Sequence, residues 1–348
     1  MEFNAIGLMS GTSLDGLDIC FVRFQSVGES WKFRILQAET VSYSPDWETK
    51  LRTATQLGPE QLLALDSEYG YYLGEQVSIF IQKYQLTDVD VIASHGHTVF
   101  HQPQNKFTLQ IGDGRAIKTW INIPVVYDFR SQDVLKGGNG APLVPIGDDL
   151  LFSEYDSCVN LGGFSNISFK QNDKRIAFDI CPVNIILNRF AKNLNKNYDE
   201  NGEIARGGKV IPELLNTLNV LPYYSSCPPK SLGIEWVHEN IDRKIKGGKP
   251  EDLLATFTEH AAVQIADTLE KFSLKKVLFT GGGTYNAFLI ERIQAMCNAE
   301  IIIPEKEIID FKEALIFSFM GVLKLNNKIN VLSSATGSSE DHSSGLVV

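Results

Sequence analysis

Runs of basic residues, long apolar stretches and paired cysteines are all missing from this 348-residue chain. It carries 32 Lys and Arg against 42 Asp and Glu, so its net charge is -10 and no basic run is suited to a series of phosphates along a polymer. The most apolar stretch, 314–325, is interrupted by Ser318 and Lys324 and is too short to span a bilayer. We therefore expect neither nucleic acid nor a membrane as a partner.

The cysteines exclude a disulfide framework. The chain has 5 of them, an odd number, widely spaced and without a CxxC pair, which is typical of reduced thiols in the cytosol. The first residues lack a basic region followed by an apolar stretch, so no secretory signal is evident and we expect a cytoplasmic protein. With 43% hydrophobic and 21% charged residues the composition is that of a globular protein. The length predicts about two domains, each able to bury a core.

Apolar patterning predicts the same order of elements twice: three strands, a helix and a further strand. In the first half these elements lie at 5–9, 17–24, 33–43, 44–85 and 89–93. In the second half they lie at 157–161, 167–170, 175–180, from Asn184 onward, and at 276–280. The repeat predicts two related α/β lobes, with a boundary in the Gly- and Pro-containing segment 131–145. Taken alone, the Ser- and Gly-rich tail from Ser333 is typical of a flexible end.

Three glycine-rich turns follow predicted strands: SGTSLDG (10–16), LGGFSN (161–166) and FTGGGTYN (279–286). Glycine lets backbone N–H groups turn toward an anion, Thr12 and Ser13 add hydroxyl donors, and Asp15 is able to bind a metal directly or through water. Phosphate binding is one interpretation. A hairpin loop or a tight strand exit explains each turn equally simply without a ligand.

Asp179 follows an apolar run and precedes Pro182, which places it at the end of a predicted strand. A carboxylate there, facing a cleft, can accept a proton from water or from a hydroxyl group. The alternative is that Asp179 caps the following helix, a common role for Asp. The sequence leaves both interpretations open.

The stretch SHGHTVFH places His95, His97 and His101 close together. The spacing of two residues puts His95 and His97 on one face of an extended chain, where they could bind zinc. No carboxylate or further histidine follows at a telling spacing, so we favour hydrogen bonds to a polar small molecule or to neighbouring loops.

Two further charged residues are candidates for the site. Arg130 can bind a substrate carboxylate or a phosphate through its planar fork of donors, or bridge to Asp128 or Asp133. Glu313 precedes an amphipathic stretch, and an acid near a helix start usually does no more than offset the helix dipole.

Taken together, eight stretches make the chain resemble the anhydro-N-acetylmuramic acid kinases, a family of the superfamily that also holds sugar kinases, Hsp70 and actin. The stretches are IGLMSGTSLDGLD, SHGHTVFHQP, LQIGDG, DFRSQDVLKGGNGAPLVP, NLGGFSNIS, TGGGTYN, KEAL and SATG. The resemblance implies an α/β fold of two RNase H-like lobes, the actin-like ATPase fold, around a central nucleotide cleft. Residues 1–127 and about 320–348 would form the N-terminal lobe, and 128–319 the C-terminal lobe.

The resemblance also implies a bacterial cytoplasmic phosphotransferase that recycles cell-wall sugar. Such enzymes use ATP, Mg²⁺ and water to convert 1,6-anhydro-N-acetylmuramic acid to N-acetylmuramic acid 6-phosphate, and the anhydro ring opens as O6 takes the γ-phosphoryl group. A homodimer is the implied assembly. Two alternatives stay open: a kinase for another sugar or anhydro-sugar, and a non-catalytic ATP-binding member of the superfamily.

Specific residues match the family's functional positions. Asp179 matches the general base that activates water toward C1, and Glu313 matches an acid near the reaction centre. The residues that match its ATP-binding turns are Gly11, Thr12, Ser13, Leu14, Asp15, Gly16, Leu17, Asp18, Gly162, Gly163, Gly281, Gly282 and Gly283. Asp15 is also the candidate Mg²⁺ ligand. The expected substrate contacts are His95, His97, Arg130 and Asn139.

The chain departs from the family pattern on the acceptor side. ICPVN at 180–184 replaces TGPGN, and His97 and Asn139 each stand in place of Gln. Leu232 and Ile234 replace the Thr and Arg of KSTGRE. These changes predict a bulkier and drier surrounding for Asp179. Because the ATP loop is intact, the sequence specifies nucleotide binding more firmly than the acceptor sugar.

Overall fold

The computed structural model of the chain describes residues 1–11, 14, 16–28 and 30–348. Its strands are β1 (Glu2–Ser10), β2 (Leu17–Val27), β3 (Ser30–Val41), β4 (Val91–Gln102), β5 (Phe107–Ile111), β6 (Val125–Tyr127), β7 (Ser157–Leu161), β8 (Phe164–Gln171), β9 (Lys174–Pro182), β10 (Lys276–Thr280), β11 (Glu300–Ile302) and β12 (Leu346–Val347). Its helices are α1 (Pro45–Thr53), α2 (Pro59–Lys83), α3 (Gly114–Lys118), α4 (Ser131–Leu135), α5 (Pro145–Leu150), α6 (Asn184–Lys192), α7 (Glu203–Gly207), α8 (Pro212–Asn219), α9 (Pro222–Ser225), α10 (Ile234–Asn240), α11 (Pro250–Lys271), α12 (Ala287–Gln294), α13 (Lys306–Leu325) and α14 (Ser333–Thr336).

The chain divides into two compact units. Unit 1 contains residues 1–151 and 311–348, and its sheet has the order β12-β6-β4-β1-β2-β3, with β5 paired to β4. The strand β1 is antiparallel to β2 and parallel to β4, and β4 is parallel to β6. An antiparallel meander therefore lies on one side of β1, and parallel strands lie on the other.

Unit 2, residues 152–310, repeats this topology. Its sheet has the order β11-β10-β7-β8-β9, with β7 antiparallel to β8, β8 antiparallel to β9, and β7 parallel to β10. In both units the first strand is flanked by the second and the fourth, which is the RNase H-like arrangement. The predicted fold class is confirmed, and so is the internal repeat of elements.

Helices cover the sheets through apolar faces at helical spacing. Helix α2 buries Leu65, Leu73, Val77 and Phe80, and each such side chain contributes about 1.5–3 kcal/mol when it is fully buried. Helix α13 packs directly on β1, where a Cβ at Gly7 would lie 1.9 Å from a backbone oxygen of α13. Only glycine permits this approach.

The unit boundaries differ from the predicted lobe boundaries. Residues 128–151 and 311–319 group with unit 1, whereas the sequence analysis placed them in the C-terminal lobe. Two contacts explain this grouping. Ser344 Oγ donates a hydrogen bond to Phe129 O at 2.7 Å, and the side chain from position 316 lies against Gly147.

The C-terminal tail is ordered within unit 1 and is not a flexible end. Val331 and His342 form an isolated antiparallel bridge, and β12 pairs with β6. Asn330, which is fully buried, also accepts a hydrogen bond from the backbone of Ser344. The resemblance had implied this return of the tail to the first lobe.

Two predicted strand ends were wrong. Strand β4 runs to Gln102, beyond the predicted 89–93, because the unpredicted β5 pairs with it through the histidine-rich stretch. Strand β9 runs to Pro182, so Asp179 lies inside the strand. Since β9 is at the edge of its sheet, the missing N–H of Pro182 is tolerated there. Within the described ranges, none of the helices has the length and apolar character needed to cross a membrane.

Candidate active site

The turn between β1 and β2 carries the first glycine motif, and packing shapes its described part. Leu14 has a φ of 61°, and its N–H reaches Gly11 O at 3.4 Å. A Cβ at Gly16 would lie 2.6 Å from Thr40 Cγ2 on β3, so a larger residue would push these strands apart. These glycines allow the chain to reverse tightly at the end of the sheet.

Part of the predicted ATP loop cannot be placed. Thr12, Ser13 and Asp15, which the sequence analysis assigned to ATP and Mg²⁺, lie outside the described residues. Leu17 is fully buried, and Asp18 accepts a hydrogen bond from a threonine hydroxyl on β3 at 2.6 Å. The nucleotide and Mg²⁺ roles of this turn stay predictions.

The two glycine turns of unit 2 lie side by side at the carboxyl ends of the parallel strands β7 and β10. A Cβ at Gly281, whose φ is 84°, would lie 2.4 Å from Asn160 Oδ1. At Gly283 it would lie 2.7 Å from Leu161 Cβ. The TGGG turn after β10 therefore packs against the start of the β7–β8 turn, and these two glycines are needed for that close contact.

Other glycines of the same turns face open space. A Cβ at Gly282 would meet no atom within 4 Å in the described part of the chain, and at Gly163 it would meet only Ile185, at 3.8 Å. The β7–β8 turn is also held firmly, because the N–H groups of Val183 and Ile185 donate to Gly163 O at 2.8 and 3.2 Å. A rigid turn with an open side is suited to a phosphate-bearing ligand.

Asp179 is held from three sides within unit 2. Leu232 N donates to Asp179 Oδ2 at 2.8 Å, and Asp179 N donates to Lys230 O at 3.2 Å. The hydroxyl of Tyr223 donates to Asp179 O at 2.6 Å. The segment 223–232 thus fixes both the backbone and one carboxylate oxygen. Asp179 does not cap helix α6, whose cap position is Val183, so that alternative is excluded.

The surroundings of Asp179 are apolar, as the substitutions at 180–184 predicted. Ile180, Cys181 and Val183 are all buried, with at most 2% of each residue exposed. Burial raises the pKa of Asp179, while the N–H of Leu232 opposes that rise. Because a carboxylate with a raised pKa is a stronger base than an ordinary one, this position suits a group that accepts a proton from water.

Arg130 is anchored within unit 1 by His95 and Gly140. Its Nε donates to His95 Nε2 at 2.9 Å, and Nη1 donates to Gly140 O at 2.6 Å. Since His95 Nδ1 lies 2.9 Å from Gly96 O, which only accepts, the proton of the neutral ring is on Nδ1. Both ring nitrogens of His95 are therefore used inside the protein, and its role becomes that of positioning Arg130.

Electrostatics fit this assignment of His95 and Arg130. Burial, together with the positive charge of Arg130, lowers the pKa of His95 well below its usual value. Burial also lowers the pKa of Arg130 to about 10, so the guanidinium stays charged at neutral pH. Among the described residues none accepts a hydrogen bond from Arg130 Nη2. Arg130 thus keeps a donor for a ligand anion, rather than pairing with Asp128 or Asp133.

Glu313 and Asn139 both belong to unit 1 and both keep some solvent-accessible surface, although protein surrounds much of Glu313. Glu313 lies in the third turn of α13, so it does not serve at the helix start as the simpler interpretation held. Desolvation by the surrounding protein raises the pKa of its carboxyl, and the positive charges of Arg130 and Lys312 oppose that rise. Asn139 is held by its backbone, whose N–H donates to Thr336 O at 2.8 Å, which leaves its amide at the surface.

His97 ends a chain of buried hydrogen bonds in unit 1. Tyr43 OH donates to Ser10 Oγ at 2.7 Å, and Ser10 Oγ lies 2.9 Å from His97 Nδ1. Because Tyr43 gives its proton to Ser10, Tyr69 OH is the donor of its 2.7 Å bond to Tyr43 OH, and the Ser10 proton is used within this network when Ser10 donates to His97 Nδ1. The proton of the neutral imidazole is then on Nε2, which is a donor without a partner in the described residues.

The two histidines do not form a zinc site. Gly96 between them has a φ of 73°, so the chain is not extended there and the shared face is lost. His95 and His97 bond to different partners, and the described residues contain no cluster of three His, Cys, Asp or Glu suited to a metal. Both histidines form hydrogen bonds within the protein, His95 with Arg130 and His97 with Ser10, and a hydrogen bond from His97 to a polar small molecule stays a prediction.

The burial of His97 predicts a specific acid sensitivity. Burial lowers the pKa of His97 to about 4, so below the unfolded value near 6.5 the unfolded chain binds a proton that the folded chain does not. Because of this difference in proton binding, the free energy of unfolding falls by about 2 kcal/mol when the pH is lowered from 7 to 5. Over that pH range we expect the free energy of unfolding of His97→Gln, measured by urea unfolding, to fall by about 2 kcal/mol less than that of the natural protein. Equal losses would contradict the neutral imidazole.

Sequence reasoning missed the residues that support the site. Tyr223, Tyr43 and Asp133 lie 44, 33 and 203 residues from Asp179, Ser10 and Thr336, the residues to which they form hydrogen bonds. The tyrosines of α2 recur at helical spacing, so they were predictable as part of an apolar face. The partners of their hydroxyl groups were not predictable, because they depend on β4 lying next to β1 and β3 lying next to β2. Only the tertiary fold supplies that information.

A family model and named relatives match nearly the whole chain. The family model described as anhydro-N-acetylmuramic acid kinase matches residues 3–348. The chain is 34% identical to the enzyme of that name from Francisella tularensis subsp. novicida, covering 95% of each chain. It is also 34% identical to the one from Clostridioides difficile, covering 96% of this chain and 95% of that relative. Among solved structures, a ROK family glucokinase from Streptomyces griseus, in complex with glucose and AMPPNP, aligns with a TM-score of 0.43 and 13% identity over 92% of this chain and 99% of that one.

Proposed function

Because the chain belongs to the anhydro-N-acetylmuramic acid kinase family, we propose that it converts 1,6-anhydro-N-acetylmuramic acid, ATP and water to N-acetylmuramic acid 6-phosphate and ADP. The relatives that carry this name cover nearly the whole chain. Within the structure, the observation that carries the proposal is Asp179, a carboxylate fixed by the backbone of Leu232 in apolar surroundings.

The reaction joins two bond changes. Asp179 accepts a proton from water as the water oxygen bonds to C1 of the sugar, and the C1–O6 bond breaks. O6 then carries the electron pair and bonds to the γ-phosphorus, whose bond to the bridging oxygen of ADP breaks. A positioned general base contributes about 10²- to 10⁴-fold to such a step. Because phosphoryl transfer needs alignment and neutralised charge, the remaining acceleration comes from binding ATP in place.

The glycine turns are our candidates for holding ATP. Gly163 and Gly282 have open sides, so backbone N–H groups can approach phosphate oxygens without a side chain in the way. The Mg²⁺ that accompanies ATP takes most of its ligands from phosphates and water, so a single protein carboxylate suffices. Asp15 is the residue we propose for it, and Mg²⁺ would supply neutralisation of the phosphate charge.

Arg130 is our candidate for the acceptor's carboxylate. N-acetylmuramic acid carries a lactyl carboxylate, and a guanidinium with a free donor is suited to bind it. His97 Nε2–H would donate to a neutral oxygen, because the ring carries no charge near neutral pH. Glu313 is our candidate for an acid near the reaction centre, since no described side chain donates a hydrogen bond to its carboxylate and the charge of Arg130 acts on it.

A coupled assay for ADP release tests the function directly. Purified protein with Mg-ATP is expected to release ADP only when 1,6-anhydro-N-acetylmuramic acid is present. The product is expected to be a reducing sugar phosphorylated on O6, identified by phosphorus NMR. If no phosphosugar forms, the proposal is wrong.

The N–H of Leu232 predicts the pH dependence. Since burial raises the pKa of Asp179 and this N–H lowers it, removing the donor should raise that pKa further. We expect Leu232→Pro to move the acid limb of the kcat/KM profile upward by about one pH unit. Leu232→Thr, which restores the family residue and keeps the N–H, serves as the matched control. An unshifted limb in a folded Leu232→Pro variant would contradict the role of this bond.

A second candidate is a kinase for an anhydro-sugar without the lactyl group. Ile234 is 39% exposed where the family has Arg, so this surface offers an apolar group in place of a cation. The assay distinguishes the two candidates when 1,6-anhydro-N-acetylglucosamine is supplied instead. A higher kcat/KM for this sugar would favour the second candidate.

We place the reaction in the cytoplasm, within cell-wall sugar recycling. The five cysteines, all in described parts of the chain, form no disulfide, and four of them are buried. A homodimer is the assembly we propose from the family resemblance, and light scattering of the purified protein would test it. No polymer partner, nucleic acid included, is part of the proposal.

A further inference from the structure

A cavity of about 260 Å³ lies in unit 2 between helix α11 and the segment 223–232. Its volume is slightly below the roughly 300 Å³ at which drug-sized sites begin, and it accommodates one sugar ring with a substituent. No residue assigned to ATP or to the acceptor lines it. The side chains used below are Phe178, Tyr224, Lys230, Gln264, Lys271 and Phe272.

The cavity presents two lysines that lack acidic partners. Neither lysine forms an ion pair in the described part of the chain; instead, Lys230 Nζ lies 5.5 Å from the ring centroid of Phe178 and Lys271 Nζ lies 5.6 Å from that of Phe272. Lys230 Nζ donates only to Tyr223 O, at 3.0 Å, and burial followed by the positive charge of Lys271 lowers the pKa of Lys230. Asp267 also lines the cavity, which leaves the lining with a net charge of +1 in a protein whose net charge is -10. An anion would relieve the repulsion between the two ammonium groups.

The other walls suit a hydroxyl-bearing ring. Phe178 and Phe272, whose ring centroids lie 6.0 Å apart, add aromatic surface beside the two ammonium groups. Asn219 Oδ1 accepts a hydrogen bond from Gln264 Nε2 at 3.1 Å. The side-chain oxygen of Gln264 and the side-chain nitrogen of Asn219 are therefore available to a ligand. Apolar faces with a few polar groups and a cationic end match a sugar that carries a phosphate.

One wall of the cavity is also the support of Asp179. Lys230 lines the cavity, while its carbonyl accepts from Asp179 N and Leu232, two residues on, donates to the Asp179 carboxylate. Tyr224 lines the cavity, and its neighbour Tyr223 donates to Asp179 O. A ligand that immobilises Lys230 and Tyr224 therefore immobilises the segment that positions Asp179.

We propose that this cavity is a binding site for a monosaccharide phosphate, and that its occupation stiffens the 223–232 segment around Asp179. The phosphate binds Lys230 and Lys271, and the sugar ring lies against the parts of the aromatic side chains that these ammonium groups leave uncovered. Binding here does not depend on the proposed function, and only its catalytic consequence rests on it. By reciprocity, a ligand that requires the ordered Asp179 would bind more tightly when the cavity is filled.

Calorimetric titration with glucose 6-phosphate, and with glucose and inorganic phosphate in parallel, tests the site without any turnover. We expect glucose 6-phosphate to bind at least tenfold more tightly than either fragment. Lys271→Met should weaken it about tenfold or more, since a charge-assisted hydrogen bond is lost. Lys275→Met removes the same charge from an exposed position that does not line the cavity, and should change the affinity less than twofold.

Hydrogen exchange of the Asp179 and Leu232 amides reports the coupling. We expect both to exchange at least threefold more slowly with saturating glucose 6-phosphate, and this slowing should vanish in Lys271→Met. Binding that is equal in Lys271→Met and the natural protein would place the ligand elsewhere and overturn the site. Phosphate binding as tightly as glucose 6-phosphate would overturn the sugar specificity. Unchanged exchange would overturn the coupling to Asp179.

Discussion

Asp179→Asn is expected to lower kcat at least a hundredfold and to leave the Kd for ATP within twofold. The substitution removes the group that accepts the proton of water, and a positioned general base is worth about 10² to 10⁴ in rate. The amide oxygen of Asn can still accept from Leu232 N, so the segment 223–232 keeps its place. Steady-state ADP release and calorimetric ATP titration measure the two quantities.

A matched control separates this effect from the general effect of replacing a carboxylate by an amide. Asp173 is exposed in the turn between β8 and β9 and has a φ of 59°, a conformation that Asn adopts as readily as Asp. Asp173→Asn makes the same chemical change in the same unit and should leave kcat within twofold. A kcat for Asp179→Asn within tenfold of the natural enzyme would exclude Asp179 as the base.

Asp133→Ala is expected to destabilise unit 1 by about 3–5 kcal/mol. The Asp133 carboxylate is fully buried and accepts from Gly140 N and Thr336 Oγ1, both at 2.7 Å. His342 Nε2 lies 3.7 Å away. Alanine leaves these donors without an acceptor, so the loop at 138–140 and the tail lose the group that joins them. For a unit of this size the melting temperature should fall by roughly 6 to 20 °C.

Calorimetry of two further variants tests the cause of this destabilisation. Asp133→Asn keeps an acceptor and should lose less than half as much stability as Asp133→Ala. Asp88→Ala changes an exposed Asp and should stay within about 0.5 kcal/mol of the natural protein. A drop of less than 2 °C in Asp133→Ala would show that the tail is held by other contacts.

The fold was largely predictable because its signal is local. Each strand of the two meanders has its own apolar pattern, and the turn residues between them fall at the predicted places. The strand ends were not predictable, because β4 continues only where β5 pairs with it and β9 continues only where β8 does. The single predicted helix over 44–85 is interrupted near Gly58, where Pro59 begins α2 after a short 3-10 turn.

The sequence predicted which residues form the site, but it did not predict the hydrogen bonds that hold them in place. Motifs identified Asp179, Arg130 and the glycine turns, but Asp179 and Arg130 are held by residues 53 and 10 positions away in the sequence. The anchoring of Arg130 by His95 is an example. Sequence placed both near a ligand, whereas the structure uses the whole imidazole of His95 to hold the guanidinium.

Tracing the oxygen of water is the most direct test of the account, which assigns Asp179 to activate water toward C1 while O6 takes the phosphoryl group. The reaction is run in water labelled with oxygen-18 and analysed by mass spectrometry at early times, before the anomeric oxygen exchanges. We predict one labelled oxygen on C1 of each sugar phosphate and none in the phosphoryl group. Label found in inorganic phosphate, with the anhydro ring intact, would contradict it.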